Sequence, residues 1–220
     1  MAKFDKFSVM ERIGATRMVP VFYSKDIDTA ENVAKACCDG GVRAFEFTNR
    51  GDFAHEIFAE LMIYVREHCP GMALGAGTIL DAPTAALYLQ YGADFIVSPC
   101  FNPEVARLCN RRGVPYYPGC ATVTEISAAQ EAGCDLVKVF PGDVLGPEFV
   151  KDVLAPMPWT RMMVTGGVSP EKDNLEGWFG AGAFCVGMGS KLFPKELVEK
   201  GDWAGISAKC REVLETIANL

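Results

Sequence analysis

Leu136-Val137-Lys138-Val139-Phe140-Pro141 is a short apolar run with a lysine at its centre and a proline at its end. Its length and its valines read as a buried β-strand. Desolvating an ammonium among such neighbours is costly. A lysine here therefore has a partner, snorkels to solvent from an edge strand, or has its pKa lowered until the neutral amine is a nucleophile. A nucleophilic lysine means Schiff-base chemistry with a carbonyl compound. The sequence on either side narrows the choice.

Working outward, strands and helices alternate. Upstream, Thr124 is expected to cap a helix that runs to Ala132, with Glu125 in its first turn and Gly133 as its stop. Before it come strand Tyr116 to Cys120, helix Pro103 to Arg112, strand Phe95 to Pro99, helix Ala82 to Tyr91, strand Ala73 to Ile79 and helix Phe53 to His68. Strand Ala44 to Asn49 follows a helix that opens at Asp26-Ile27-Asp28, with Asp28 as N-cap, and stops at Gly40-Gly41; Met18 to Tyr23 is the first strand. Residues 3 to 14 place Phe4, Phe7, Met10 and Ile13 at helical spacing, a leading amphipathic helix expected to cap the barrel floor. Downstream, Pro141-Gly142-Asp143 turns into a helix over Glu148 to Leu154. Strand Arg161 to Gly167, helix Pro170 to Gly180, strand Ala183 to Gly189 and a closing helix Trp203 to Ala218 complete the chain. Eight alternations with short connections predict a single (β/α)8 TIM barrel: residues 1–16 a leading helix, 18–193 the barrel core, 194–220 a closing helix.

At 220 residues the chain suits one such domain, and half its residues are hydrophobic. A net charge of -7 with scattered basic residues gives no surface for nucleic acid or anionic lipid. The partner expected is a small molecule. There is neither a basic-then-apolar leader nor an apolar run of about 18 residues, so the expected compartment is the cytosol. Nine cysteines, with no C-x-x-C spacing, read as small reduced core residues. His55 and His68 share one predicted helix and form no zinc signature. No metal and no cofactor is expected, although magnesium held by carboxylates would leave a weaker trace.

Strand parity selects candidate functional side chains. Phe45 and Phe47 face one way, whereas Glu46 and Thr48 face the other, with Arg50 just beyond. In a parallel barrel the second face points to the axis, and its C-terminal end is where active sites lie. An internal ion pair is the alternative use of Glu46 and Arg50. Gly75 and Gly77, followed by Thr78, lack side chains where a ligand or another backbone comes close. Thr165-Gly166-Gly167-Val168-Ser169 and Gly187-Met188-Gly189-Ser190 end the last two strands, the loops that bind phosphate in many barrels; tight turns are their other reading.

With the strands in order, the chain resembles the class I 2-keto-3-deoxy-6-phosphogluconate (KDPG) aldolases, many of which are also 4-hydroxy-2-oxoglutarate (KHG) aldolases. The resemblance runs from about Met18 to Phe193. It rests on Gly41 to Thr48, Arg50, Gly75 to Thr78, Phe95 to Pro99, Lys138 to Pro141, Thr165 to Ser169 and Gly189-Ser190. It implies that Lys138 forms the Schiff base and Glu46 is the general acid/base. Arg50 and Thr78 would then hold the pyruvate carboxylate end, and Thr165, Gly166, Gly167, Gly189 and Ser190 the phosphate, with Pro99 and Phe140 also contacting substrate. It further implies a homotrimer. Asn49, Gly51, Cys100 and Lys191 depart from the usual leucine, threonine, glycine and tryptophan, which bears on the exact sugar acid. Two other readings stay open: an imine-free sugar-phosphate epimerase or isomerase, in which Lys138 is an ion-pair partner, and a catalytically silent barrel that binds a sugar acid.

Overall fold

The computed structural model describes residues 1–220. Its strands are β1 (Met18–Phe22), β2 (Ala44–Thr48), β3 (Ala73–Gly77), β4 (Ile96–Val97), β5 (Tyr116–Tyr117), β6 (Gly119–Cys120), β7 (Val137–Val139), β8 (Met162–Thr165) and β9 (Cys185–Met188). All pair in parallel, in the order β5-β4-β3-β2-β1-β9-β8-β7-β6. The single fifth strand expected from Tyr116 to Cys120 is split at Pro118. Proline has no N–H to give a ladder, but its carbonyl accepts from the Lys138 N–H at 2.8 Å. β5 pairs with β4, and β6 pairs with β7, so the two halves close a ring of eight.

The helices are α1 (Lys6–Thr16), α2 (Ile27–Asp39), α3 (Ala54–His68), α4 (Ala82–Tyr91), α5 (Pro103–Arg112), α6 (Val123–Glu131), α7 (Gly142–Leu154), α8 (Lys172–Gly180), α9 (Lys195–Lys200) and α10 (Trp203–Ala218). Several boundaries differ from the sequence reading. Asp26, not Asp28, caps α2, because its carboxylate accepts the Thr29 N–H. Thr122, not Thr124, caps α6, in a capping box closed by Glu125. α7 starts at Gly142 and breaks at Gly146, whose φ is 73°. The segment 194–220 holds two helices, α9 and α10, rather than one.

The sheet separates two apolar cores. Phe45 and Phe47 of β2 pack in the outer one, against the helices. Inside the barrel lie Val19, Ala44, Ala73, Phe95, Val97, Tyr117, Leu136, Met163 and Cys185, and with them Val9 and Ile13 of α1. The leading helix is therefore a plug in the floor, and its two fully buried side chains contribute about 1.5–3 kcal/mol each. Asp94 holds the approach to it, accepting the N–H groups of Lys3 (2.7 Å) and Phe4 (3.2 Å) on one oxygen and that of Leu74 (3.0 Å) on the other. No helix is long and apolar enough to cross a membrane.

Candidate active site

The inward side chains two residues above this floor are different in kind. On β2 Ala44 is followed by Glu46 and then Thr48; on β7 Leu136 is followed by Lys138. Both charged groups are buried, with only 1% of Glu46 and 6% of Lys138 exposed. Glu46 stands level with Val21 and Gly75 on the flanking strands, and Lys138 with Gly119 and Met163.

Glycines on the adjoining strand make this possible. A Cβ on Gly77 would sit 1.8 Å from Glu46 Oε1, so the carboxylate lies across the space that a side chain there would fill. A Cβ on Gly75 would strike the Phe95 ring at 2.2 Å. What comes close at these two glycines is thus a neighbouring side chain, rather than the ligand or backbone expected from the sequence.

Lys138 belongs to no ion pair within 4 Å, and neither do Glu46 and Arg50. Lys138 is too buried for its amine to snorkel to solvent, and no ion pair joins Glu46 to Arg50 within 4 Å. The Lys138 ammonium position lies 5.1 Å from the Phe140 ring centroid, within cation–π range. Burial raises the Glu46 pKa, opposed by the positive charges of Lys138 and then Arg50. Glu46 Oε2 has no hydrogen-bond partner, nor has the buried Thr165 Oγ1. Orphaned polar atoms of this sort are costly in a folded core; the Tyr117 hydroxyl, down in the floor, is a third.

Above the pair, a cavity of about 380 Å³ opens at the C-terminal ends of the strands. Thr48, Arg50, Phe140, Thr165, Gly166 and Gly167 line it, together with Gly189 and Ser190. Of the residues selected from the sequence, Thr78 and Pro99 do not line it, and Lys138 and Glu46 lie beneath it rather than in its wall. Thr78 instead stands out by its backbone, at a φ of 61° that threonine rarely adopts. The end of β1 supplies lining residues the sequence did not single out, Phe22 and Tyr23; only the rule that strand ends carry the site pointed to them. The Tyr23 hydroxyl lies 2.5 Å from where a Cβ on Gly51 would stand, and Gly51 has a φ of 121°, so the threonine usual at that position would not fit here. Asn49 turns away from the cavity, accepting a hydrogen bond from the Tyr88 hydroxyl at 2.9 Å.

The two glycine loops form one wall. The N–H groups of Gly166, Gly167, Val168, Gly189, Ser190 and Lys191 donate to no protein acceptor, whereas those of Ser169, Leu192 and Phe193 are used. Asn174 pins the first loop, donating to the Gly167 carbonyl at 3.0 Å and accepting from the Ser169 N–H at 2.9 Å. Unused backbone donors converging on a cavity, with a guanidinium opposite, are suited to an anion such as phosphate.

The family model for KDPG and KHG aldolase matches residues 9–209. The chain is 34% identical to the 2-dehydro-3-deoxy-phosphogluconate aldolase of Treponema pallidum, over 96% of this chain and 97% of that one. It is 30% identical to the KHG/KDPG aldolase of Escherichia coli, over 90% and 91%. Among solved structures, the KDPG aldolase of Legionella pneumophila, with pyruvate captured as a covalent carbinolamine, superposes with a TM-score of 0.83 at 26% identity, covering 93% of this chain and 97% of that one. With the family model matched over residues 9–209 and a relative 34% identical over nearly the whole chain, on a barrel that holds a buried lysine and carboxylate, the chain belongs to the KDPG and KHG aldolase family.

Proposed function

We propose that Lys138 is the Schiff-base lysine of this aldolase and Glu46 its proton carrier, acting on 2-keto-3-deoxy-6-phosphogluconate. The observation that carries this reading is the buried, unpaired Lys138 sharing the barrel interior with a buried Glu46 that keeps one oxygen free. The neutral amine adds to the C2 ketone; loss of water leaves a protonated imine, an electron sink. Glu46 as carboxylate takes the C4 hydroxyl proton, and the C3–C4 electrons move into the imine. The products are glyceraldehyde 3-phosphate and an enamine. Glu46 then returns the proton to C3, and hydrolysis releases pyruvate. With 4-hydroxy-2-oxoglutarate the same steps release glyoxylate.

Arg50 at the cavity wall is assigned to the pyruvate carboxylate end together with Thr78, and the loops at Thr165 to Gly167 and Gly189-Ser190 to the distal phosphate. Their unused N–H groups support a phosphorylated substrate over the shorter keto acid. A cytosolic homotrimer completes the proposal. Phe53, Leu80, Val123 and Val144, exposed in segments that follow β2, β3, β6 and β7, offer apolar surface for the contact, and light scattering tests it.

The experiment for the chemistry is reduction with borohydride in the presence of pyruvate, followed by peptide mapping. One pyruvate-derived adduct on Lys138 is expected. A folded protein that gains no adduct, or gains it on another lysine, overturns the assignment and favours the imine-free sugar-phosphate barrel.

A further inference from the structure

At the end of the barrel opposite the catalytic cavity, a second cavity of about 490 Å³ opens beside the α1 plug. Arg17 and Arg161 line it, and no carboxylate does, although the chain as a whole carries a net charge of -7. Arg17 precedes β1 and Arg161 precedes β8, and these strands flank β9 in the sheet. Two strand spacings separate them, about 10 Å. Neither guanidinium is in an ion pair or donates a hydrogen bond. Each is instead set against an aromatic ring of the cavity wall: Arg17 lies 4.1 Å from the centroid of Phe179, and Arg161 lies 5.9 Å from that of Phe184. The stacking fixes the cations without using their N–H groups.

Two further features single out this place. Arg17 is the C-cap of α1 and has a φ of 51°, while its N–H closes on the Ile13 carbonyl at 2.7 Å. Glycine would make that cap without strain, so what the position gains from arginine is the side chain. Beside the arginines stands Trp159, 66% exposed. An exposed indole next to free guanidinium groups presents a flat apolar face and cationic donors to the same occupant.

We propose that this floor cavity binds a phosphate monoester carried on a planar aromatic ring, the chemistry of a nucleoside monophosphate. The phosphate takes the N–H groups of Arg17 and Arg161, and the ring lies on Trp159.

Adenosine monophosphate is the probe, and Trp159 is the reporter, because no tryptophan lines the catalytic cavity. A saturable quench of tryptophan fluorescence is expected, absent in Trp159→Phe. Arg161→Ala and Arg17→Gly should each weaken binding about tenfold, the loss of a charge-assisted contact. Arg17→Gly keeps the helix cap, so its folding is not at risk. Neither variant should change aldolase turnover in the absence of the nucleotide. The proposal fails if no saturable quench develops, if both arginine variants bind as the parent does, or if inorganic phosphate binds as tightly as the nucleotide.

Discussion

Gly77→Ala separates the two halves of the proposed chemistry. The new Cβ would stand 1.8 Å from Glu46 Oε1, 2.5 Å from its Cδ and 2.8 Å from its Cγ, whereas ordinary contact begins at 3.4 Å. The carboxylate must retreat by roughly 1.6 Å, and a displacement of about 1 Å at a reacting group costs on the order of 100-fold in rate. Overpacking of a filled barrel adds about 1–3 kcal/mol of destabilisation. Lys138 stands across the barrel, and the three atoms nearest the new methyl group all belong to Glu46. The expected result is a kcat for cleavage, followed by coupled reduction of pyruvate, lowered about 100-fold, while borohydride still traps pyruvate on Lys138 to full extent. Gly75→Ala is the control: it meets the Phe95 ring at 2.2 Å, so it should destabilise without a comparable loss of turnover in the protein that remains folded. A Gly77→Ala protein with undiminished kcat would show that Glu46 does not act from the position it occupies here. Equal losses in the two variants would reduce the effect to packing.

Three other outcomes are expected. Lys138→Ala should lower cleavage by about 10³-fold or more and abolish trapping, read by the same coupled assay and by intact mass. Because burial raises the Glu46 pKa, the native state keeps a proton that the unfolded chain loses above the ordinary carboxylate range; stability therefore falls as pH rises from that range through the raised pKa. Glu46→Gln removes the titration, so the difference in urea midpoints between variant and parent should move in the variant's favour across that window; a constant difference would refute it. Thr122→Ala opens the capping box of α6 and should cost about 1 kcal/mol by urea denaturation, with kcat unchanged.

Much of this arrangement was legible in the sequence because two periodicities carry it. The alternation in Ala44-Phe45-Glu46-Phe47-Thr48 put Glu46 on the inner face and the phenylalanines on the outer one, and the structure agrees residue by residue. The valine-flanked Lys138 was recognisable for the same reason. What escaped notice depends on choices no local pattern settles. Asp26 and Asp28 are both competent caps, and only the hydrogen bond to Thr29 decides between them. Pro118 splits the fifth strand, but nothing nearby says that its two halves serve different neighbours. Gly75 and Gly77 announced an empty space; that Phe95 and Glu46 fill it requires the register between β2, β3 and the segment before β4. Tyr23 belongs to the cavity through the meeting of two strand ends far apart in the chain.

The inner face of the barrel is built in storeys. Along β2 and β7, Ala44 and Leu136 sit low with the α1 plug, and Glu46 and Lys138 sit one inward position higher, as Thr165 does above Met163 on β8. Two residues of strand, about 7 Å, thus separate the packed floor from the layer proposed to handle the substrate. Random exchange in the upper storey and its loops can reshape selectivity for a stereocentre or a leaving aldehyde while the foundation stays untouched. A directed-evolution library confined to that storey should yield a larger share of folded members than one of equal size spread over the whole interior, which makes this barrel a forgiving parent for new carbon–carbon bond formation.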